Sequence, residues 1–153
     1  YSPISKLEPL VDLVVILTNK PKAVSSSEAH RRVATSPLME LRTERVQERQ
    51  ALAKNALAAG DFKNLAEIAW AEFWDMHSMF HTAVPPFFYF EPGTMQVLRF
   101  SEQRWEKKGF GPIATIDAGP NVHLLVKQSE QRDILARLRR EIGEDIRVLE
   151  SGA

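Results

Sequence analysis

Two apolar runs, Ile113-Ala114-Thr115-Ile116 and Val122-His123-Leu124-Leu125-Val126, stand on either side of Asp117-Ala118-Gly119-Pro120-Asn121. Short apolar runs parted by a Gly-Pro segment read as strand, tight turn and strand. A chain built this way must contain a sheet, and it presents a carboxylate where the first strand ends. Gly119 has no Cβ, so another group can approach the backbone there closely. A carboxylate held at such a place can orient or remove a proton. The commoner use of Asp in a turn is to hydrogen-bond its own backbone, and spacing alone favours that use.

The remaining pattern supplies the other elements. Val11-Asp12-Leu13-Val14-Val15-Ile16-Leu17-Thr18 is rich in β-branched residues and predicts a central strand covered on both faces or nearly so. Asn19-Lys20-Pro21-Lys22 breaks it. Ser25-Ser26-Ser27 leads into a short helix over Glu28 to Val33. Ser36 as N-cap and Pro37 in the first turn predict a helix that runs to Ala59 and stops at Gly60. Asp61 starts another, with Leu65, Ile68, Ala69, Phe73, Met76 and Phe80 on its buried face, and Pro85-Pro86 ends it. Phe87-Phe88-Tyr89-Phe90 reads as core, because no Lys or Arg is interleaved as a base-stacking platform requires. Gly93-Thr94 precedes a helix with Val97, Leu98 and Trp105 inward, ending near Gly109. Ser129 is placed to cap a last helix carrying Ile134, Leu135, Leu138 and Ile142, closed by Gly143, and Ile146-Arg147-Val148 can form an edge strand. Strands and helices do not alternate strictly. The order therefore predicts an α+β fold: a ferredoxin-like antiparallel sheet with helices packed mainly on one face.

At 153 residues the chain is expected to form a single domain, 1–153. Lys plus Arg and Asp plus Glu number 20 each, so no overall field draws it to nucleic acid or to a membrane surface. Cysteine is absent, which excludes disulfides and thiolate chemistry. No apolar run approaches the ~20 residues that span a bilayer, and no signal peptide is visible. A cytoplasmic location is the expectation. The chain opens on Tyr1 and reaches a strand-like segment quickly, which suggests a piece of a longer protein.

Three segments in order carry a family resemblance. The first is Val24-Ser25-Ser26-Ser27, followed by Val33-Ala34-Thr35-Ser36 and Arg42-Thr43-Glu44-Arg45-Val46. The second is Phe80-His81-Thr82-Ala83, then Pro85-Pro86-Phe87-Phe88-Tyr89, and the third is Asp117-Ala118-Gly119-Pro120-Asn121. Together they resemble the C-terminal half of the diphosphomevalonate decarboxylase family, a branch of the GHMP kinase superfamily. The resemblance implies the same ferredoxin-like architecture. It also implies an ATP-dependent decarboxylation of mevalonate 5-diphosphate to isopentenyl diphosphate, with ATP and Mg2+ bound mainly by a preceding N-terminal domain. That assignment suits a chain with no Gly-rich phosphate loop, and it implies that the chain by itself is inactive. The implied partners are a phosphorylated mevalonate substrate, the N-terminal domain and a second copy of the chain, with aromatic surface around Phe87 to Phe90 as one candidate contact.

By the same resemblance Asp117 is the catalytic carboxylate near the substrate's C3 hydroxyl, and Ser25, Ser26 and Ser27 bind substrate phosphates. Hydroxyls and free N–H groups at a helix start suit phosphate. His81 and Gly119 support the site from behind. The family usually has Gly-Met where Ala29-His30 stands here, a departure that keeps a monophosphate substrate or a mevalonate kinase-like homologue as alternatives. A non-catalytic binding or dimerisation module of the same fold is the reading from a different class. His77 and His81 are four residues apart and share a helix face, but with no Glu between them and no third ligand, no metal site is expected. Arg31 and Arg32 read as a solvated pair or as charge near the substrate, and His30 and His123 carry no assigned chemistry.

Overall fold

The structure is a computed structural model and describes residues 6–18 and 21–152. Its strands are β1 (Leu10–Ile16), β2 (Ile113–Thr115), β3 (Val122–Lys127) and β4 (Arg147–Gly152). Its helices are α1 (Ser26–Val33), α2 (Arg42–Ala59), α3 (Phe62–Thr82), α4 (Pro92–Lys108) and α5 (Gln131–Ile142), with 3-10 turns at Pro37–Met39 and Gln128–Glu130. The sheet order is β2-β3-β1-β4, and every neighbouring pair is antiparallel. This is the α+β, ferredoxin-like arrangement.

Register makes the core. Val11, Leu13 and Val15 of β1 lie opposite Val126, Leu124 and Val122 of β3. Because side chains alternate across a strand, all six point to one face. There they pack with Phe73 of α3, Val97, Leu98 and Phe100 of α4, and Ile134 and Leu138 of α5. The second face of β1 is only half covered: Asp12, Val14 and Ile16 are partly exposed, and Asp12 Oδ2 lies in hydrogen-bond contact with His123 Nδ1 at 2.8 Å. The expectation of a strand buried on both faces is thus corrected. A dense run of β-branched residues does not distinguish a two-sided strand from one that buries only alternate positions.

The helix expected from Ser36 is divided. Ser36 does cap, its hydroxyl accepting from the N–H of Leu38, but the element it caps is a 3-10 turn. Leu41 then leaves helical geometry and stands 54% exposed before α2 begins at Arg42. Gly60 ends α2 in the left-handed region, φ 75°, as expected. Ser129 is no cap for α5: it lies inside the second 3-10 turn, and both its N–H and its hydroxyl donate to Glu8. Asn19 and Lys20, expected to break β1, lie outside the described residues. α3 ends at Thr82, three residues before Pro85-Pro86.

α2 and α3 are joined by charge as well as by apolar contact. Arg42, Arg45 and Arg49 converge on Glu72 and Asp75, with Asp75 receiving Arg42 and Arg49 at 2.7 Å and Arg45 at 3.0 Å. The Asp75 side chain is 14% exposed. Burial alone would raise its pKa, but the three guanidiniums outweigh burial and hold it at about 2. Its folded pKa lies below its unfolded value, so the stabilisation is present above about pH 4 and is lost as pH falls toward 2. Asp75→Asn should cost about 2 kcal/mol at pH 7 and should flatten the fall in urea midpoint below pH 4. An unchanged midpoint at pH 7 would show that the cluster is solvated and idle.

Candidate functional site

The turn from Ile116 to Asn121 is fastened at several points. The N–H of Gly119 donates to the Asp117 carbonyl at 2.9 Å. The hydroxyl of Thr94, buried in the first turn of α4, donates to the Pro120 carbonyl at 2.9 Å. Asn121 Oδ1 accepts from the N–H of Leu17, at the end of β1, at 3.0 Å. At the entry to the turn, His77 of α3 brings Nε2 to 3.3 Å from the Ile116 carbonyl. A backbone with its carbonyls and amides so engaged fixes where the next side chain points. That side chain is Asp117, which is exposed.

His77 itself is fully buried. Its ring stacks on Phe90 at 4.9 Å and touches Phe73 and Phe80 at 4.7 and 4.9 Å. Loss of hydration pushes its pKa down to about 4; the Ile116 carbonyl opposes the shift, the neighbouring His81 adds to it, and Asp117 opposes it. The imidazole is therefore neutral at pH 7, with Nε2 as its N–H donor. The unfolded chain takes a proton first as pH drops, so stability should fall from about pH 6.5 down to about pH 4, by up to about 3 kcal/mol. Melting His77→Phe alongside wild type across that range checks this: the variant should show the flatter profile.

The serine loop is joined to the same turn by an apolar cluster on which both Val24 and Ala118 pack. Ser25, Ser26 and Ser27 are exposed at the start of α1, with Ser25 as N-cap accepting from the Glu28 N–H at 3.2 Å. Ordinary capping therefore occupies one hydroxyl and leaves Ser26 and Ser27 in the first turn, facing solvent. Val24 just before them accepts a 3.0 Å hydrogen bond from the Tyr89 hydroxyl. Burial raises the Tyr89 pKa first, and the Asp117 charge raises it further, so the phenol lies within electrostatic reach of that carboxylate. Val24, Ala29 and Val33 from α1 and its loop, Met76 and Phe80 from α3, Ala83, Phe87, Tyr89, and Ala118 from the turn form one apolar cluster. The three segments that carry the family resemblance are far apart in sequence and meet on that cluster.

Gly119 shows what sits between loop and turn. A Cβ built there would lie 3.3 Å from Lys22 Cε, 3.5 Å from Lys22 Nζ and 3.4 Å from Asp117 Oδ1. The absence of a side chain at Gly119 leaves room for an ammonium and a carboxylate to flank one small space. From sequence alone Lys22 reads only as part of a strand breaker and Tyr89 only as core. The signal available for Lys22 is its place three residues ahead of the serine loop, where a fixed cation suits phosphate. His81 is on the exposed side of α3, edge-on to Phe90 at 5.6 Å, and burial lowers its pKa. It shares the Phe90 ring with His77. Arg32 lies over the Phe87 ring at 5.6 Å and pairs with Glu28, as does Arg31. Both arginines are thus engaged on their own helix. Among the described residues no three His, Cys, Asp or Glu side chains gather to hold a metal ion.

Fold and site together define a ferredoxin-like α+β domain that sets an exposed carboxylate beside a lysine and a hydroxyl-rich helix start. The chain belongs to the mevalonate 5-diphosphate decarboxylase C-terminal domain family, whose match spans residues 12–150. It is similar to the crystal structure of a mevalonate diphosphate decarboxylase from Legionella pneumophila, with 35% identity and a TM-score of 0.85 over 95% of this chain and 46% of that one. The mevalonate diphosphate decarboxylase of Enterococcus faecalis is similar at 28% identity and a TM-score of 0.78, over 93% of this chain and 43% of that one. So is MDDEF in complex with MVAPP, AMPPCP and magnesium, at 28% identity and a TM-score of 0.81, over 94% of this chain and 47% of that one. The chain spans less than half the length of each. Among curated protein sequences nothing matches it.

Proposed function

We propose that this domain is the C-terminal half of a two-domain, ATP-dependent enzyme that converts mevalonate 5-diphosphate to isopentenyl diphosphate, carbon dioxide, ADP and phosphate. The observation that carries the reading is the space flanked by Asp117 and Lys22 across Gly119. A tertiary hydroxyl is a weak nucleophile, and a carboxylate within hydrogen-bond reach orients it and accepts its proton. As the phosphorylated C3 substituent later departs, positive character builds at that carbon, and the Asp117 carboxylate, ionised again once its proton has passed to solvent, stabilises it. Lys22 and the first-turn N–H and hydroxyl groups of Ser25, Ser26 and Ser27 hold the substrate's terminal phosphates by charge and by helix-start donors. Gly119 keeps the space open, and His81 with His77 supports the wall behind it.

We assign ATP and Mg2+ mainly to the preceding domain. The similar protein in complex with AMPPCP and magnesium is about twice as long as this chain. The N-terminal domain and a second copy of the chain are the proposed partners. Phe87 and Tyr89 are core, which narrows the aromatic contact surface to Phe88, 69% exposed; Val84 in the same loop is 70% exposed. No helix among the described residues is long and apolar enough to cross a membrane, and we place the enzyme in the cytoplasm.

The full-length protein, mixed with ATP, magnesium and mevalonate 5-diphosphate, tests the reading by release of ADP and carbon dioxide together. ADP without carbon dioxide would make it a kinase on the same fold. Release of neither would leave a binding module. A parallel run with mevalonate 5-phosphate separates the mono- and diphosphate substrates. The buried Ala29, where the family usually has Gly, is the reason to include it.

A further inference from the structure

We propose that His77 is a positioning residue for Asp117, acting through the backbone carbonyl of Ile116. This rests on the functional reading above, since it gives His77 a role only if Asp117 does chemistry. The turn that carries Asp117 is held at its far end by Thr94 and Asn121, neither of which touches the peptide that precedes the carboxylate. That peptide is held by His77 alone among the described residues, through Nε2 and the Ile116 carbonyl at 3.3 Å. The tilt of the Ile116–Asp117 peptide sets the direction of the Asp117 Cα–Cβ bond, and so where the carboxylate reaches.

The ring is built for this one task. Phe73, Phe80 and Phe90 surround it and fix its plane. Its other nitrogen, Nδ1, is buried and has no hydrogen-bond partner among the described residues. A buried polar atom without a partner destabilises the fold. A phenylalanine would fill the same aromatic space without that cost, so packing alone does not call for histidine here. The Nε2–H donor is what a phenylalanine lacks. A small misplacement of a catalytic group costs turnover far out of proportion to its size, so the donor's effect belongs in kcat.

Two variants of the full-length protein separate positioning from packing. His77→Phe keeps the ring stack and removes the donor. His77→Gln removes the stack and carries an amide N–H to about the position of Nε2. Positioning predicts that Phe lowers kcat about tenfold or more with KM within about twofold, while Gln recovers most of kcat despite a lower melting temperature. Packing alone predicts the reverse order, with Phe active and Gln impaired, and that result overturns the proposal, as does equal loss in both. Should Phe prove too large to fold, His77→Leu serves as the variant without a donor. Wild type that releases no ADP and carbon dioxide overturns the functional reading, and this role with it. An active wild type with unaltered His77→Phe kinetics overturns this role alone.

Discussion

Asp117→Asn in the full-length enzyme is expected to lose about a hundred- to ten-thousandfold in turnover, the span usual for removal of a general base, with its melting temperature unchanged. Two features keep the fold out of the result. Asp117 is exposed, and the hydrogen bond it makes within the turn uses its backbone carbonyl, accepting from Gly119. Asn has the same shape and leaves that bond intact. The change therefore removes one negative charge and one proton acceptor beside Lys22 and nothing else. ADP and carbon dioxide release from ATP and mevalonate 5-diphosphate should fall together. Near-wild-type rates would remove Asp117 from the chemistry and reduce the Asp-Ala-Gly-Pro-Asn segment to a turn.

Phe73→Ala is expected to cost about 3–5 kcal/mol of folding stability, as large-to-small changes at fully buried aromatics do. Phe73 is 1% exposed. It belongs to the cluster that also holds Leu13 of β1, Leu124 of β3, Val97 of α4 and Ile134 of α5. It also packs against Trp74 at 4.8 Å and His77 at 4.7 Å. Few other residues touch both the sheet core and the aromatic wall behind the site, so a cavity here loosens both. Urea denaturation at pH 7 measures the loss. A cost below about 1 kcal/mol would be too small for a residue buried in this way and would contradict the packing described.

Most of the sheet was legible, because period-two burial and turn chemistry are local. The Gly-Pro turn between β2 and β3, the edge strand near Val148 and the glycine stop at Gly60 arise from residues within a few positions of each other. Long-range partners were not legible. Nothing near Arg42, Arg45 or Arg49 says that Glu72 and Asp75 will meet them. The buried face of α3 was misplaced in part for the same reason. His77 and Ala66 are buried, while Leu65, Ile68, Ala69 and Met76 are only half so. Hydropathy placed the polar imidazole outside, yet the Ile116 carbonyl gives it a partner inside. At the site, Asp117 and the serines came from the family resemblance. Lys22 needed the fold, since only the folded chain brings residues 22 and 117 around one space.

The turn that bears Asp117 is tied to α3 by His77, to α4 by Thr94 and to β1 by Asn121. A loop anchored to three separate elements has no inexpensive way to fray by itself. The Gly119 N–H, the amide that donates within the turn, should exchange with solvent at the rate of whole-domain opening, not at the faster rate typical of surface loops. Weakening the core anywhere should then change how many molecules are folded and leave each folded molecule with the same geometry around Asp117.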